Sequence, residues 1–410
     1  MKPPSEGHRH RAAMYRGPVT LPCVLIQVLD AIILLVIIAA LILACWAGLW
    51  KVIDILLFPK DKELTGWTCL AIGMTLQLIL NFFQKIFYDT TRNVNLILYG
   101  FLWRLHAYVG LIAALTLWRG VWTCLEFYTG ESALSLAVSA IIAAVILIPL
   151  RLFNVVVTVP GRMVKEPAAD PFKIPTRFQI APSCNCKFVL DVLFNVIVIS
   201  VLFVVYFRGV FDLMEKVVYP GDKVRNLWAC MMIGYGVLVP CVVAQRYVAI
   251  LYRALADRLW LKIALDDTYS FVIAFGVVNV WRGWWELYDV YLLATGDQVL
   301  RGALLHLAGV LVSYLLYASR AQAFPLGPER LDGSLDLKTD NIMGMYLEDK
   351  QCCCFEPFQV TYDVTDTRPQ DRSAAGQEAE DIMLVVTEEE TWESSLNKKA
   401  GTGYGSTPGH

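Results

Sequence analysis

The chain has 410 residues, 57% hydrophobic and 18% charged, with a mean hydropathy of +0.52 and a formal net charge of −2. Soluble domains carry about a quarter charged residues, so this composition excludes a soluble globular protein, and the near-neutral balance points away from nucleic acid as a partner. The charge is uneven: residues 1–320 hold 28 Lys and Arg against 20 Asp and Glu, and residues 321–410 hold 7 against 17.

The first segment, 1–23, is polar and basic, and the apolar run behind it is too long for a signal peptide. It is expected to be a short cytosolic N-terminus. The run AIILLVIIAALILACWAGL (31–49) has no charge and is long enough to cross a bilayer, which takes about 20 residues. Taken along the chain, the apolar runs predict eight spans at about 24–50, 66–87, 96–120, 132–154, 188–211, 227–250, 268–292 and 300–319. The expected fold is all-α, a polytopic membrane protein. A first four-helix half (24–154) is followed by a Pro-rich, basic cytosolic linker (155–187) read as solvated, and then by a second four-helix half (188–320). The tail, 321–410, is acidic and poor in aromatics, a composition that predicts disorder. EDIMLVVTEEE (380–390) is its one apolar patch and a candidate docking peptide.

A motif recurs four times: WAGLWKVID (46–54), WRGVWTCLE (118–126), FRGVFDLME (207–215) and WRGWWELYD (281–289). Its form is aromatic, Arg (Ala once), Gly, apolar, aromatic, three residues, acid. Each copy follows an apolar run and precedes a short turn, FPKD, YTGE, YPGD or ATGD, ending on Asp61, Glu131, Asp222 or Asp297. These acids are suited to cap the next helix. The repeating unit is therefore expected to be a helical hairpin. Copies one and three share a Pro turn and lie 161 residues apart; copies two and four share Thr-Gly-acid and lie 163 apart. That spacing indicates duplication of a four-helix half, as a parallel repeat. Lys and Arg number 10 on the motif side and 18 on the other, so the motifs are expected outside and both termini in the cytosol.

Two readings of the motif charges are open. The aromatics and Arg form an interfacial belt with snorkelling side chains, or the charges lie inside the bundle and pair. The second follows from depth. Asp266 and Asp267 leave only about a dozen uncharged residues before Trp281, so the seventh span must run on through the motif. Arg119, Arg208 and Arg282 would then meet acids of the set Asp54, Glu126, Glu215 and Asp289, chiefly between neighbouring hairpins. Arg104, His106 and Asn279 are the other polar residues within spans.

No pattern for a catalytic, cofactor or metal site occurs: there is no P-loop, GxSxG or HExxH. The eleven cysteines form no secreted framework, and CNC (184–186) and CCC (352–354) lack the further ligands of a zinc site. Cys352, Cys353 and Cys354 lie about thirty residues past the last span and are candidate palmitoylation sites.

The motifs WRGVW, FRGVF and WRGWW, with eight spans, cytosolic ends and an acidic tail, resemble the Fuseless family of invertebrate eight-pass membrane proteins over residues 20–320. Copy one, WAGLW, departs from the pattern by lacking the Arg. The resemblance implies a non-enzymatic presynaptic plasma-membrane protein that supports calcium-channel localisation and synaptic vesicle exocytosis. It implies as partners the lipid bilayer and a voltage-gated calcium-channel complex or a cytosolic scaffold held by the tail. The alternative is a transporter or lipid-handling protein with a polar site between the repeated halves.

Overall fold

The computed structural model describes residues 28–162, 172–183, 185–255 and 258–323. Within them the chain is all-α, and eight helices carry the fold. They are α1 (Val28–Leu56), α2 (Lys62–Thr91), α3 (Leu96–Thr129), α4 (Ala133–Leu147), α5 (Cys186–Val217), α6 (Lys223–Ala254), α7 (Leu259–Leu292) and α8 (Gln298–Leu315). By length and composition seven of these can cross a membrane; the exception is α4. Its 15 residues rise about 22 Å, short of a hydrocarbon core of about 30 Å.

Helix starts follow local chemistry. The side chains of Asp61, Asn95, Asn185 and Asp297 accept backbone N–H groups at the starts of α2, α3, α5 and α8. Asp222 accepts the Arg225 N–H at 2.9 Å in the same way. At α4 the cap is Ser132, not Glu131, because the shorter side chain sits at the position whose extended backbone admits the bond. Glu131 instead lies 3.4 Å from Lys216.

The motif helices α1, α3, α5 and α7 touch in cyclic order and form an inner ring, closed by α7 on α1. The other four lie outside, with α2 packed along α3, α4 along α5, α6 along α7, and α8 along α1. The hairpin expected from the sequence is thus corrected: the two helices that flank each motif turn are not close packing partners. The motif glycines give the physical reason. A Cβ on Gly48 would fall 2.5 Å from the Gly302 carbonyl of α8, and one on Gly209 2.7 Å from the Leu136 carbonyl of α4. Likewise one on Gly283 would fall 3.0 Å from the Met231 nitrogen of α6, and Gly120 is pressed against the Leu70 backbone of α2. Each glycine admits the helix that precedes it around the ring, so close backbone approach, not the turn, chooses the partner.

The two halves repeat in backbone detail. Wide π-helical turns occur at Ile33–Ile38 and Phe194–Ile199, 161 positions apart. Positive-φ residues pair as Phe58 with Tyr219, Gly130 with Gly296, and Arg151 with Tyr317. π-turns leave carbonyls free for other donors: the Tyr235 hydroxyl donates to the Leu35 carbonyl at 2.9 Å, tying α6 to α1.

Residues 152–162 leave α-helical geometry, with one 3-10 turn at Phe153–Val156, yet are buried throughout, packed beside α7. The start of the expected linker is therefore part of the core and not a solvated strand of chain. Ser319, Ala321 and Gln322, after α8, are equally buried. Outward-facing side chains are large and apolar, as Ile79, Phe83, Ile142, Val145, Val243, Leu304 and Leu311 show. A bilayer would cover such a surface; water would not. The termini and the tail, with Cys352, Cys353 and Cys354, lie outside the described residues.

Candidate functional site

The two motif aromatics are four residues apart, about one turn, so both point into the ring axis. Four copies build two tiers. The lower tier is Trp46, Trp118, Phe207 and Trp281, none more than 2% exposed. Trp118 lies 4.9 Å from Phe207 and 5.2 Å from Trp46, and Trp281 lies 5.5 Å from both Trp46 and Phe207. The upper tier is a closed cycle: Trp50–Trp122 5.8 Å, Trp122–Phe211 5.4 Å, Phe211–Trp285 6.3 Å and Trp285–Trp50 5.4 Å, all edge to face. Edge-to-face contact brings the positive rim of one ring onto the negative face of the next.

The lower tier is anchored from below by the two buried irregular segments. The Trp281 indole donates to the Val159 carbonyl at 2.6 Å, and the Trp46 indole to the Gln322 carbonyl at 2.9 Å. Backbone that leaves α-helical geometry in a buried apolar setting needs protein partners for its polar groups, and each indole supplies a donor to one such carbonyl.

A cavity of about 200 Å³ opens at the motif end, between the upper rings and the charges above them. Besides the eight rings, it is lined by Asp212, Glu215, Arg282 and Glu286. Arg282 is 2% exposed. It donates to Glu286 at 3.1 Å, to Asn226 at 2.9 Å and to the Phe211 carbonyl at 3.1 Å, and lies 3.3 Å from Glu215. Its guanidinium lies 4.9 Å from the Phe211 ring centroid.

The other expected charges are placed as follows. Arg119 pairs with Asp54 and stacks at 4.9 Å on Trp50. Buried Arg208 lies 3.4 Å from Asp212 and donates to the Gly130 carbonyl at 3.0 Å. Glu126 is held by Lys62 and by none of the three arginines. Asp289 makes no ion pair among the described residues; Lys51 and Lys223 are the cations in electrostatic reach. The structure thus joins Arg282 to Glu215 and Arg119 to Asp54, and leaves Arg208 apart from Glu126. The carboxylates the sequence reading passed over are Asp212 and Glu286. Each lies four residues after a motif Arg, and that spacing was the available signal.

Of the remaining polar residues, His106 packs edge-on between Phe87 and Phe172, and the Asn279 amide donates to the Phe275 carbonyl at 2.9 Å. Arg104 stacks on Trp103 and Tyr317. Buried His306, which the sequence reading did not single out, bridges the Cys45 carbonyl and the Tyr108 hydroxyl, at 2.8 and 3.1 Å. Among the described residues no three His, Cys, Asp or Glu side chains are grouped to hold a metal ion.

A ring of four motif helices with inward tryptophans, paired intramembrane charges and an apolar exterior defines a polytopic α-helical membrane protein. The family model named Fuseless matches residues 25–322, and the chain belongs to the Fuseless family. No curated protein and no solved structure matches it.

Proposed function

We propose that the protein is a non-enzymatic, eight-span protein of the presynaptic plasma membrane that supports calcium-channel localisation and synaptic vesicle exocytosis. Family membership supports this reading. In it, α4 and its continuation make the eighth span, the motif turns face outward and both termini are cytosolic. The acidic tail contacts a voltage-gated calcium-channel complex or a cytosolic scaffold. The observation that carries it is the filled axis. Four fully buried rings, backed by residues 152–162 and 319–322, close the bundle below the cavity. An axis closed by aromatic side chains below the cavity suits an organising protein and opposes a conduit.

The test is replacement of the protein in neurons by the full chain or by a chain ending at residue 323. Loss of calcium-channel clusters and of evoked release without the protein, restored by the full chain only, is the expected result. Normal channel clusters and release in neurons lacking it would overturn the reading.

The cavity itself favours one alternative, a transporter or lipid-handling protein, since it holds charge between inner helices of both halves. Solute or lipid movement by the purified protein in vesicles would select that alternative.

A further inference from the structure

The charges around the cavity follow a rule with a gap in it. Arg119, of copy two, serves the aromatic and the acid of copy one, Trp50 and Asp54. Arg282, of copy four, serves the same two positions of copy three, Phe211 and Glu215. Continued around the closed ring, the second residue of copy one would serve Trp285 and Asp289 of copy four. That residue is Ala47, with no charge to offer. Arg208 departs from the rule: it lies 3.4 Å from Asp212, and Glu126 is held by Lys62.

Three observations locate what the missing cation leaves behind. Glu286 is only 7% exposed; it lines the cavity, and although Oε1 accepts from Arg282, Oε2 has no hydrogen-bond partner. A buried carboxylate oxygen without a donor is costly. Trp285 and Trp122 line the same cavity, and no cation of the described residues lies over either ring. The carboxylates also outnumber the guanidiniums, since Arg282 is divided between Glu215 and Glu286 while Arg208 takes Asp212.

We infer that the outer cavity binds a small organic ammonium ion, with Glu286 Oε2 as its anionic acceptor and the rings of Trp285 and Trp122 as its walls. Aromatic walls with a nearby carboxylate are the chemistry that holds alkylated ammonium groups. An inorganic cation is disfavoured because, among the described residues, no three His, Cys, Asp or Glu side chains are grouped closely enough to replace its water. The volume of about 200 Å³ is below the roughly 300–1,000 Å³ of drug-sized sites, which limits the guest to a few heavy atoms. The ammonium group can belong to a free amine or to a choline or ethanolamine lipid headgroup. The inference stands whether or not the synaptic reading does.

The test uses the full chain purified in a detergent without ammonium groups. Tryptophan emission is followed while tetramethylammonium, choline, ethanolamine or glycerophosphocholine is added at constant ionic strength. Saturable binding of the ammonium compounds, unmatched by potassium or calcium chloride, is expected. Glu286→Gln should weaken it at least tenfold, and Ala47→Arg, which supplies the missing charge and leaves the Arg282–Glu286 pair intact, should abolish it. Binding of glycerophosphocholine as tight as that of choline identifies a headgroup site; binding of the free amines alone identifies a soluble ligand. No saturable signal in the wild type, an equal response to calcium or potassium, or unchanged affinity in either folded variant would overturn the inference.

Discussion

Arg282 on α7 lies 3.3 Å from Glu215 on α5, so the second residue of the fourth motif meets the last residue of the third. With Glu286 and Asn226 it joins three helices around a guanidinium that is almost wholly removed from water.

Arg282→Ala strips the buried Glu286 of its counter-charge, and removing one partner of a buried pair costs about 3–5 kcal/mol. Surface-delivered protein should fall sharply, and Arg282→Ala with Glu286→Gln should recover part of it. Arg282→Lys should also fail, since one ammonium cannot reach Asn226, Glu286 and the Phe211 carbonyl together. By contrast, Asp54 is 36% exposed, and Asp54→Asn should cost only about 1 kcal/mol or less. Cell-surface biotinylation and thermal unfolding in detergent measure both. Equal, small effects at Arg282 and Asp54 would restore the interfacial-belt reading.

Gly120→Ala places a methyl against the Leu70 backbone, where no flexible side chain can yield. Overpacking of this kind costs about 1–3 kcal/mol. Gly100→Ala, in the same helix α3 with open space around it, should be neutral or stabilising. The difference in thermal midpoint between the two variants checks that the motif glycine is a packing contact.

Epitope tags in the turns at 60–63 and 221–223 should be labelled on intact cells, and a tag at residue 400 only after permeabilisation. This follows from the 18 to 10 excess of Lys and Arg on the side opposite the motifs. Labelling of the tail tag on intact cells would reverse the orientation.

Cys352, Cys353 and Cys354 should carry acyl chains, because adjacent cytosolic thiols near the membrane accept several, and two chains anchor stably. Acyl-exchange labelling should drop in the triple Cys→Ala variant; an unchanged signal refutes acylation.

What the sequence determined by itself is what depends on local pattern. Apolar runs set the helices, Asp61, Asp222 and Asp297 set the starts of three of them, and the WRGVW, FRGVF and WRGWW motifs set the repeat. The need for the seventh span to pass through Trp281 made an interior Arg282 one of two readings, beside an interfacial belt, and the folded ring leaves it only 2% exposed. The tertiary structure decided which helices are neighbours. That depends on how closely two backbones can approach, at Gly48, Gly120, Gly209 and Gly283, and not on the length of a turn. It decided that residues 152–162 are core, because the Trp281 indole offers their carbonyl a donor that no linear pattern reveals. It also decided the charge partners. Asp212 and Glu286 are drawn in by the i+4 geometry of their own helices, Glu126 goes to Lys62, and Asp289 is left over where Ala47 replaces arginine. Each of those outcomes is a competition in space between groups far apart in the chain, and only the folded ring brings the competitors together.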